Sequence, residues 1–329
     1  MSEKILFQKA TRIEGNANIQ IEIEAGRVKT ARFLVHEFRG FEGFLRGMRV
    51  ENVPHIVSRI CGLCSSSHQV AAIRAIEEAL AVKPPKSVQA LRDILVLGEW
   101  ISSHALSYFF LTVPDFVGIS GGIFELMEAQ PEIAREAFFL RNAGLAIVKI
   151  LGRRTSHPVT IGVGRFTIPI NNDDLEEIHR TARDVKERVL GLIDGVGRMH
   201  SNEGRITFPS DQQINFVCYD SSPERDSFCV YDLNGELKLL FSRAEFMDNI
   251  SEMRADWTLA KFPYLRQYGF PAGIMLVGPL ARTSQPNSLL YYPEFQHLNR
   301  IRISATGHLS RSNVTMHAAL SRYTGQHNE

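Results

Sequence analysis

Neither positive nor negative charge is in excess in this chain. Lys and Arg together number 37 and Asp and Glu 36, leaving a formal net charge of +1. A surface without a positive excess offers no electrostatic case for a nucleic-acid partner. No run of about eighteen apolar residues occurs, so a transmembrane helix is not expected. The opening Met-Ser-Glu-Lys-Ile-Leu-Phe-Gln-Lys has neither the apolar core of a signal peptide nor a twin arginine. Cysteine is scarce, with 4 in 329 residues, which excludes a disulfide scaffold. A reducing cytoplasm is the compartment these absences favour. No internal repeat is present, and the length allows one large domain or two.

Two of the four cysteines sit in Arg59-Ile60-Cys61-Gly62-Leu63-Cys64-Ser65-Ser66-Ser67-His68. Soft thiolates select zinc, copper(I), iron or nickel over magnesium and calcium. The Cys-x-x-Cys spacing lets two sulfurs converge on one metal or close a redox disulfide. His68 follows Cys64 by four residues, so a helix begun by then places both on one face. From there an imidazole can donate to a metal-bound sulfur. A bare Cys-x-x-Cys also reads as a redox dithiol or half of a structural zinc site.

The frame around the pair resembles the N-terminal metal motif of the nickel–iron hydrogenase large subunit, of the cytoplasmic, cofactor-linked type. Thr11-Arg12-Ile13-Glu14-Gly15 resembles that family's segment with a proton-transfer glutamate, and Phe38-Arg39-Gly40-Phe41-Glu42 its segment with a magnesium-binding glutamate. A looser likeness runs through Ser103-His104, Val113-Pro114-Asp115 and His157-Pro158 to Gly278-Pro279-Leu280-Ala281-Arg282. The resemblance implies reversible hydrogen oxidation at a nickel–iron centre. There four thiolates hold nickel, and the iron carries carbon monoxide and cyanide. It implies Cys61 as a terminal nickel ligand, Cys64 as a bridge to iron, Glu42 as a magnesium ligand, Glu14 as the proton relay and His68 as a hydrogen-bond partner of the bound sulfur. It also implies a partner, an iron–sulfur small subunit, because this chain has too few cysteines for a cluster relay; further electron-transfer subunits are possible.

Each residue also has a plainer reading. Glu14 could be a surface acid before a strand, Glu42 a salt-bridge partner of Arg39 or Arg46, and His68 a core histidine. His104 and His157 read as satisfied core or loop histidines and stay outside the site. Cys218 and Cys229 read as small buried strand residues, with a converging pair across a hairpin as the alternative. The family's second Cys-x-x-Cys and following histidine have no counterpart, and the resemblance stops near Arg282. Residues 283–329 therefore read as a divergent, loosely structured tail after a hydrogenase-like domain over 1–282. From Tyr291 onward there is no lysine or aspartate but four histidines. An inactive scaffold that kept the fold but lost half the metal cage is the alternative function. A relative of the quinone-site subunit of respiratory complex I is a third reading, and Cys61 and Cys64 argue against it.

The expected fold is α+β and predominantly helical, with a long-helix core, an N-terminal hairpin and a small β-rich insertion. Alternation over residues 18–24, the turn Ala25-Gly26-Arg27 and the return to Val35 predict the hairpin. Val70, Ile73, Ile76 and Leu80 predict a helix with one buried face, Glu77 at its edge, and Arg74 pairing with Glu78 in solvent. Val82-Lys83-Pro84-Pro85 ends it, and Ser87 is expected to cap a long helix to about Thr112. Residues 113–122 read as loop, with helices over about 131–151 and 173–199. A strand at 214–219 and a hairpin turning at Asn234-Gly235 follow. Ser242-Arg243-Ala244-Glu245 then reads as a capping box opening a short helix.

Overall fold

The computed structural model describes residues 2–199, 206–207, 214–220, 225–278, 281–282 and 308–309. The fold is α+β, and the chain divides into two compact units. One comprises residues up to 39 and the strands after 205; the other is the helical region from 40 to 204.

The first unit opens with a meander, β1 (Ser2–Phe7), β2 (Ala17–Glu24) and β3 (Arg27–Val35), in antiparallel order β1-β2-β3. The expected hairpin is therefore joined by a strand that its short, charged sequence did not announce. Ala25 and Gly26 turn with φ of 51° and 75°, a conformation glycine adopts without a Cβ clash.

The helical unit follows. Helices α1 (Phe41–Leu45) and α2 (Val53–Val57) lead into α3 (Ser65–Ala79). Next come α4 (Lys86–Ala105), a π-helical stretch over Leu106–Thr112, and α5 (Val113–Phe116). Helices α6 (Gly122–Ala129) and α7 (Pro131–Gly152), the small hairpin β4 (Ile161–Gly162) and β5 (Arg165–Phe166), and α8 (Asn172–Met199) complete it. Val70, Ile73, Leu95, Ile147, Val148, Leu151, Ile161 and Ile178 form its core. By length and composition the run Lys86–Asp115 would pass as a membrane span. Here Leu91, Ile94, Leu95 and Ile101 of that run pack into this core.

Several local expectations change. Pro85, not Ser87, is the N-cap of α4, and the helix turns π-helical after Ala105. Residues 113–122 include α5 and the start of α6 rather than loop alone. Leu80 lies just past α3 and is exposed. Arg74 reaches across to Asp93 on the next helix at 2.6 Å. Glu77 is buried, clasped by the buried Arg92 through two bonds of 2.9 and 2.7 Å.

The first unit resumes with β6 (Ile206–Thr207), β7 (Asn215–Asp220), β8 (Ser227–Tyr231) and β9 (Leu237–Ser242). Helix α9 (Phe246–Asn249), β10 (Ile250–Met253), β11 (Phe262–Leu265), β12 (Met275–Leu276) and β13 (His308–Leu309) follow. A mixed sheet runs β12-β7-β8-β9, with β12 parallel to β7; β10 pairs with β11 and β13 with β6. The central strands β7 and β8 are buried on both faces, as their apolar runs require. Phe216, Cys218, Cys229 and Tyr231 face one cluster; Val217, Val230 and Phe241 face the other. The box at 242–245 is half made: the Glu245 carboxylate accepts the Ser242 N–H and hydroxyl at 2.8 and 2.7 Å, and α9 begins only after Glu245. Apart from residues 308–309, the expected tail over 283–329 lies outside the described residues.

Candidate metal centre

A short 3-10 turn over Ser58–Ile60 delivers Cys61 in extended conformation, and the chain turns through Gly62 and Leu63 to Cys64, the N-cap of α3. The two sulfurs meet in a disulfide contact across a Cα–Cα distance of 5.4 Å. The Cys64 N–H also points at the Cys61 sulfur, 3.3 Å away. Cys61 is buried and Cys64 half-buried. The His68 N–H donates to the Cys64 carbonyl at 3.2 Å, so the helix has begun by Cys64 and His68 lies one turn above it.

The first turn of a helix leaves N–H groups without intrahelical acceptors. Cys64 makes no side-chain cap bond. A carboxylate from another helix does the work: Glu99 of α4, itself buried, accepts the Ser66 N–H at 2.6 Å and the Ser67 N–H at 3.2 Å. It also accepts the Ser67 hydroxyl. On the other side, the loop after α7 closes over the cysteines. Ser156 donates its hydroxyl to the Gly62 carbonyl at 2.8 Å, and the His157 N–H donates to Ser65 Oγ at 2.9 Å. The His157 ring meets the Ser58 carbonyl through Nδ1 at 3.1 Å, which fixes the tautomer with the proton on Nδ1. Burial, with Arg59 and Arg154 nearby, holds the His157 pKa below its ordinary value against the opposing pull of that carbonyl. The sequence alone leaves His157 outside the site; the structure lays it against the loop that carries the cysteines. Glu99 has no sequence signal that marks it.

Of the other candidates, Glu42 is exposed in the first turn of α1. Glu14 belongs to the other unit, on the exposed loop between β1 and β2. That loop is held by the Ala10 N–H on the Ala17 carbonyl at 2.7 Å and by the Asn16 amide on the Glu37 carboxylate. Cys218 and Cys229 are register partners across β7 and β8, both buried and neither in a disulfide. Burial pushes the Cys229 thiol pKa up, the setting of an inert structural cysteine.

Among the described residues no group of three or more His, Cys, Asp or Glu side chains surrounds a common point. Two soft sulfurs brought together on a braced turn fit half of a four-thiolate nickel site. They are a donor pair for a soft transition metal and poor ligands for calcium or magnesium.

Comparison with known proteins places the chain. The family model "Nickel-dependent hydrogenase" matches residues 39–137, and one described as "HoxL-like" matches residues 4–38. One subunit of the F420-non-reducing hydrogenase of Methanothermobacter marburgensis is 30% identical, the match covering 89% of this chain and 66% of that protein. The corresponding vhu-type F420-non-reducing hydrogenase polypeptide of Methanocaldococcus jannaschii is 30% identical, over 84% of this chain and 69% of its own. A crystal structure of an NAD+-reducing [NiFe]-hydrogenase in the H2-reduced state shares the fold, with a TM-score of 0.84. At 22% identity it covers 96% of this chain and 76% of that one. The chain belongs to the nickel-dependent hydrogenase family. It spans about two thirds of its curated relatives, 66% of the first and 69% of the second.

Proposed function

We propose that this chain supplies the N-terminal half of the nickel–iron centre of a hydrogenase large subunit. In the assembled enzyme it serves reversible hydrogen oxidation, with electrons passing to an iron–sulfur small subunit. The observation that carries this reading is the meeting of the Cys61 and Cys64 sulfurs on a braced helix N-terminus, in a chain of this family. When bound, the nickel–iron group supplies an open coordination position at which hydrogen is split. The chain's own part is to present two thiolates on one side of that group, and Cys61 and Cys64 would be the residues that hold it. His68, one turn above Cys64, orients the bound sulfur by donating a ring N–H. A Glu14 carboxylate oxygen takes the proton released and passes it toward solvent, the work of a carboxyl placed as general base. Glu42, a hard oxygen donor, holds magnesium. Residues 1–282 carry this role, and residues 283–329 form the divergent tail.

The described residues offer two thiolates and no third ligand beside them. The other half of the cage therefore lies outside the described residues. Elemental analysis tests this. The chain purified alone should hold little nickel. Assembled with the complementary half and the iron–sulfur small subunit, it should hold nickel and iron in stoichiometric amounts and take up hydrogen. A complex that assembles without either metal would support the scaffold alternative instead. Stoichiometric nickel and iron in the isolated chain would refute the two-part cage.

A further inference from the structure

We infer that Glu99, with Ser156 and His157, forms a cradle whose task is to position the Cys61–Cys64 loop for metal before any metal arrives. The residues reach the loop from opposite directions. Glu99 comes from α4 and takes the first-turn amides of Ser66 and Ser67. Ser156 and His157 come from the loop after α7 and take Gly62, Ser65 and Ser58. Every contact falls between residues 58 and 67, so the cysteines are bracketed on both sides.

The reason for such an arrangement lies in the N-cap. That position is usually filled by a side chain whose oxygen accepts the N–H groups of the first turn. Here it is filled by Cys64, and a sulfur committed to a metal cannot also cap. The first-turn amides then need an acceptor from elsewhere, and a buried carboxylate is a strong one. Its bonds are charge-assisted, and its charge opposes the positive end of the helix. Glu99 thus frees the Cys64 sulfur from backbone duty. Ser156 does the complementary work at Gly62, midway between the two sulfurs. A loop held in its bound shape loses less freedom when a ligand arrives, and affinity rises accordingly. These three are positioning residues, since none of them is required to touch a metal.

The inference rests on the proposed function only for the identity of the natural metal, so cadmium serves as the probe. The full chain, reduced, is titrated with Cd2+ and followed by sulfur-to-cadmium charge-transfer absorption. One Cd2+ per chain is expected, and none in the variant with Cys61→Ser and Cys64→Ser. Glu99→Gln should weaken binding by about 10- to 100-fold, the effect of losing an outer-layer partner of a metal ligand. Ser156→Ala removes the neutral hydrogen bond to Gly62 and a long 3.4 Å contact with Ser65 Oγ, and should weaken it about fivefold with the fold intact. Glu77→Gln is the control. It perturbs the same two helices at the far end of α3, and it should lower the melting temperature while leaving Cd2+ affinity unchanged.

Cadmium affinity equal to wild type in both Glu99→Gln and Ser156→Ala would overturn the inference. So would an equal weakening by Glu77→Gln, which would make the effect one of general stability. A wild-type chain that binds no Cd2+ at Cys61 and Cys64 would show the loop is not prepared for metal, and would overturn it too. Should Glu99→Gln fail to fold, Ser156→Ala decides. Hydrogen uptake by the assembled complex answers separately for the proposed function: its absence, with the cadmium results as expected, would sink that reading and leave the cradle standing.

Discussion

Replacing Glu77 with leucine would leave a guanidinium in the protein interior without its counter-charge. Arg92 is 1% exposed and Glu77 4%. Two parallel bonds join them, Nη1 to Oε2 at 2.9 Å and Nη2 to Oε1 at 2.7 Å. Each partner also holds the β4–β5 hairpin: Arg92 donates to the Gly162 carbonyl at 2.8 Å, and Glu77 accepts the Gly164 N–H at 2.6 Å. Breaking a buried pair by removing one partner costs about 3–5 kcal/mol, because the remaining charge is stranded. Glu77→Leu should lose that much. Replacing both, Glu77→Leu with Arg92→Leu, strands only the two backbone groups and should recover about 1–2 kcal/mol of the loss. Urea unfolding followed by the helical circular-dichroism signal measures both. The pair also sets a pH dependence. Burial opposes ionisation of Glu77, but the bonds from Arg92 and the Gly164 N–H outweigh it, and the folded pKa lies below the ordinary value. A carboxyl with a depressed folded pKa stabilises fully above its unfolded pKa, about 4.3, and loses that contribution as pH falls through the folded value. Stability of the wild type should therefore fall on acidification below that point, more steeply than in the double variant. A single-variant loss below about 1 kcal/mol, or a double variant no better than the single, would refute the reasoning.

Further outcomes concern the site. With the complementary half-site present, Cys64→Ser should abolish hydrogen uptake, since a hydroxyl is a poor substitute for a thiolate as a ligand to a soft metal; substantial residual uptake would remove Cys64 from the centre. Glu14→Gln keeps size and much of the hydrogen bonding but cannot carry a proton away. Hydrogen–deuterium exchange with solvent should fall steeply at normal metal content, and metal loss would instead mark Glu14 as structural. In the native reduced chain, iodoacetamide should label the half-buried Cys64 well before Cys218 and Cys229, which are buried in paired strands. Equal labelling rates by mass spectrometry would contradict the buried sheet.

What could be read from sequence was local. Alternation over β2, the three- and four-residue recurrence of Val70, Ile73 and Ile76, and the Cys-x-x-Cys spacing all act within one element. The structure carries these features in β2, α3 and the meeting sulfurs. What escaped depends on distant partners. Glu99 reads in sequence as an ordinary helix acid, and its meaning lies with Ser66 and Ser67, over thirty residues away. Likewise, nothing near His157 signals that its ring and amide reach Ser58 and Ser65. Glu77 reads as a face-edge acid because Arg92 lies on the next helix. The π-helical stretch had no marker either: α-periodicity keeps the adjacent Tyr108 and Phe109 apart by 100°, yet both are buried.

Helices α4 and α7 cross glycine to glycine. A Cβ on Gly144 would lie 2.5 Å from the Gly98 carbonyl oxygen and the Ser102 amide nitrogen; one on Gly98 would lie 2.8 Å from the Ile147 side chain. Glu99 is the next residue after Gly98, so the spacing between these helices governs how far the carboxylate reaches toward α3. The same α7 ends in the turn that launches Ser156 and His157. A single methyl group at position 144 would thus act as a wedge with two arms, one drawing Glu99 back and the other shifting the Ser156 loop. The cysteines would register a change made at a glycine that touches neither of them. The tolerance of this metal half-site to mutation is therefore set partly at a helix crossing some eighty residues along the chain.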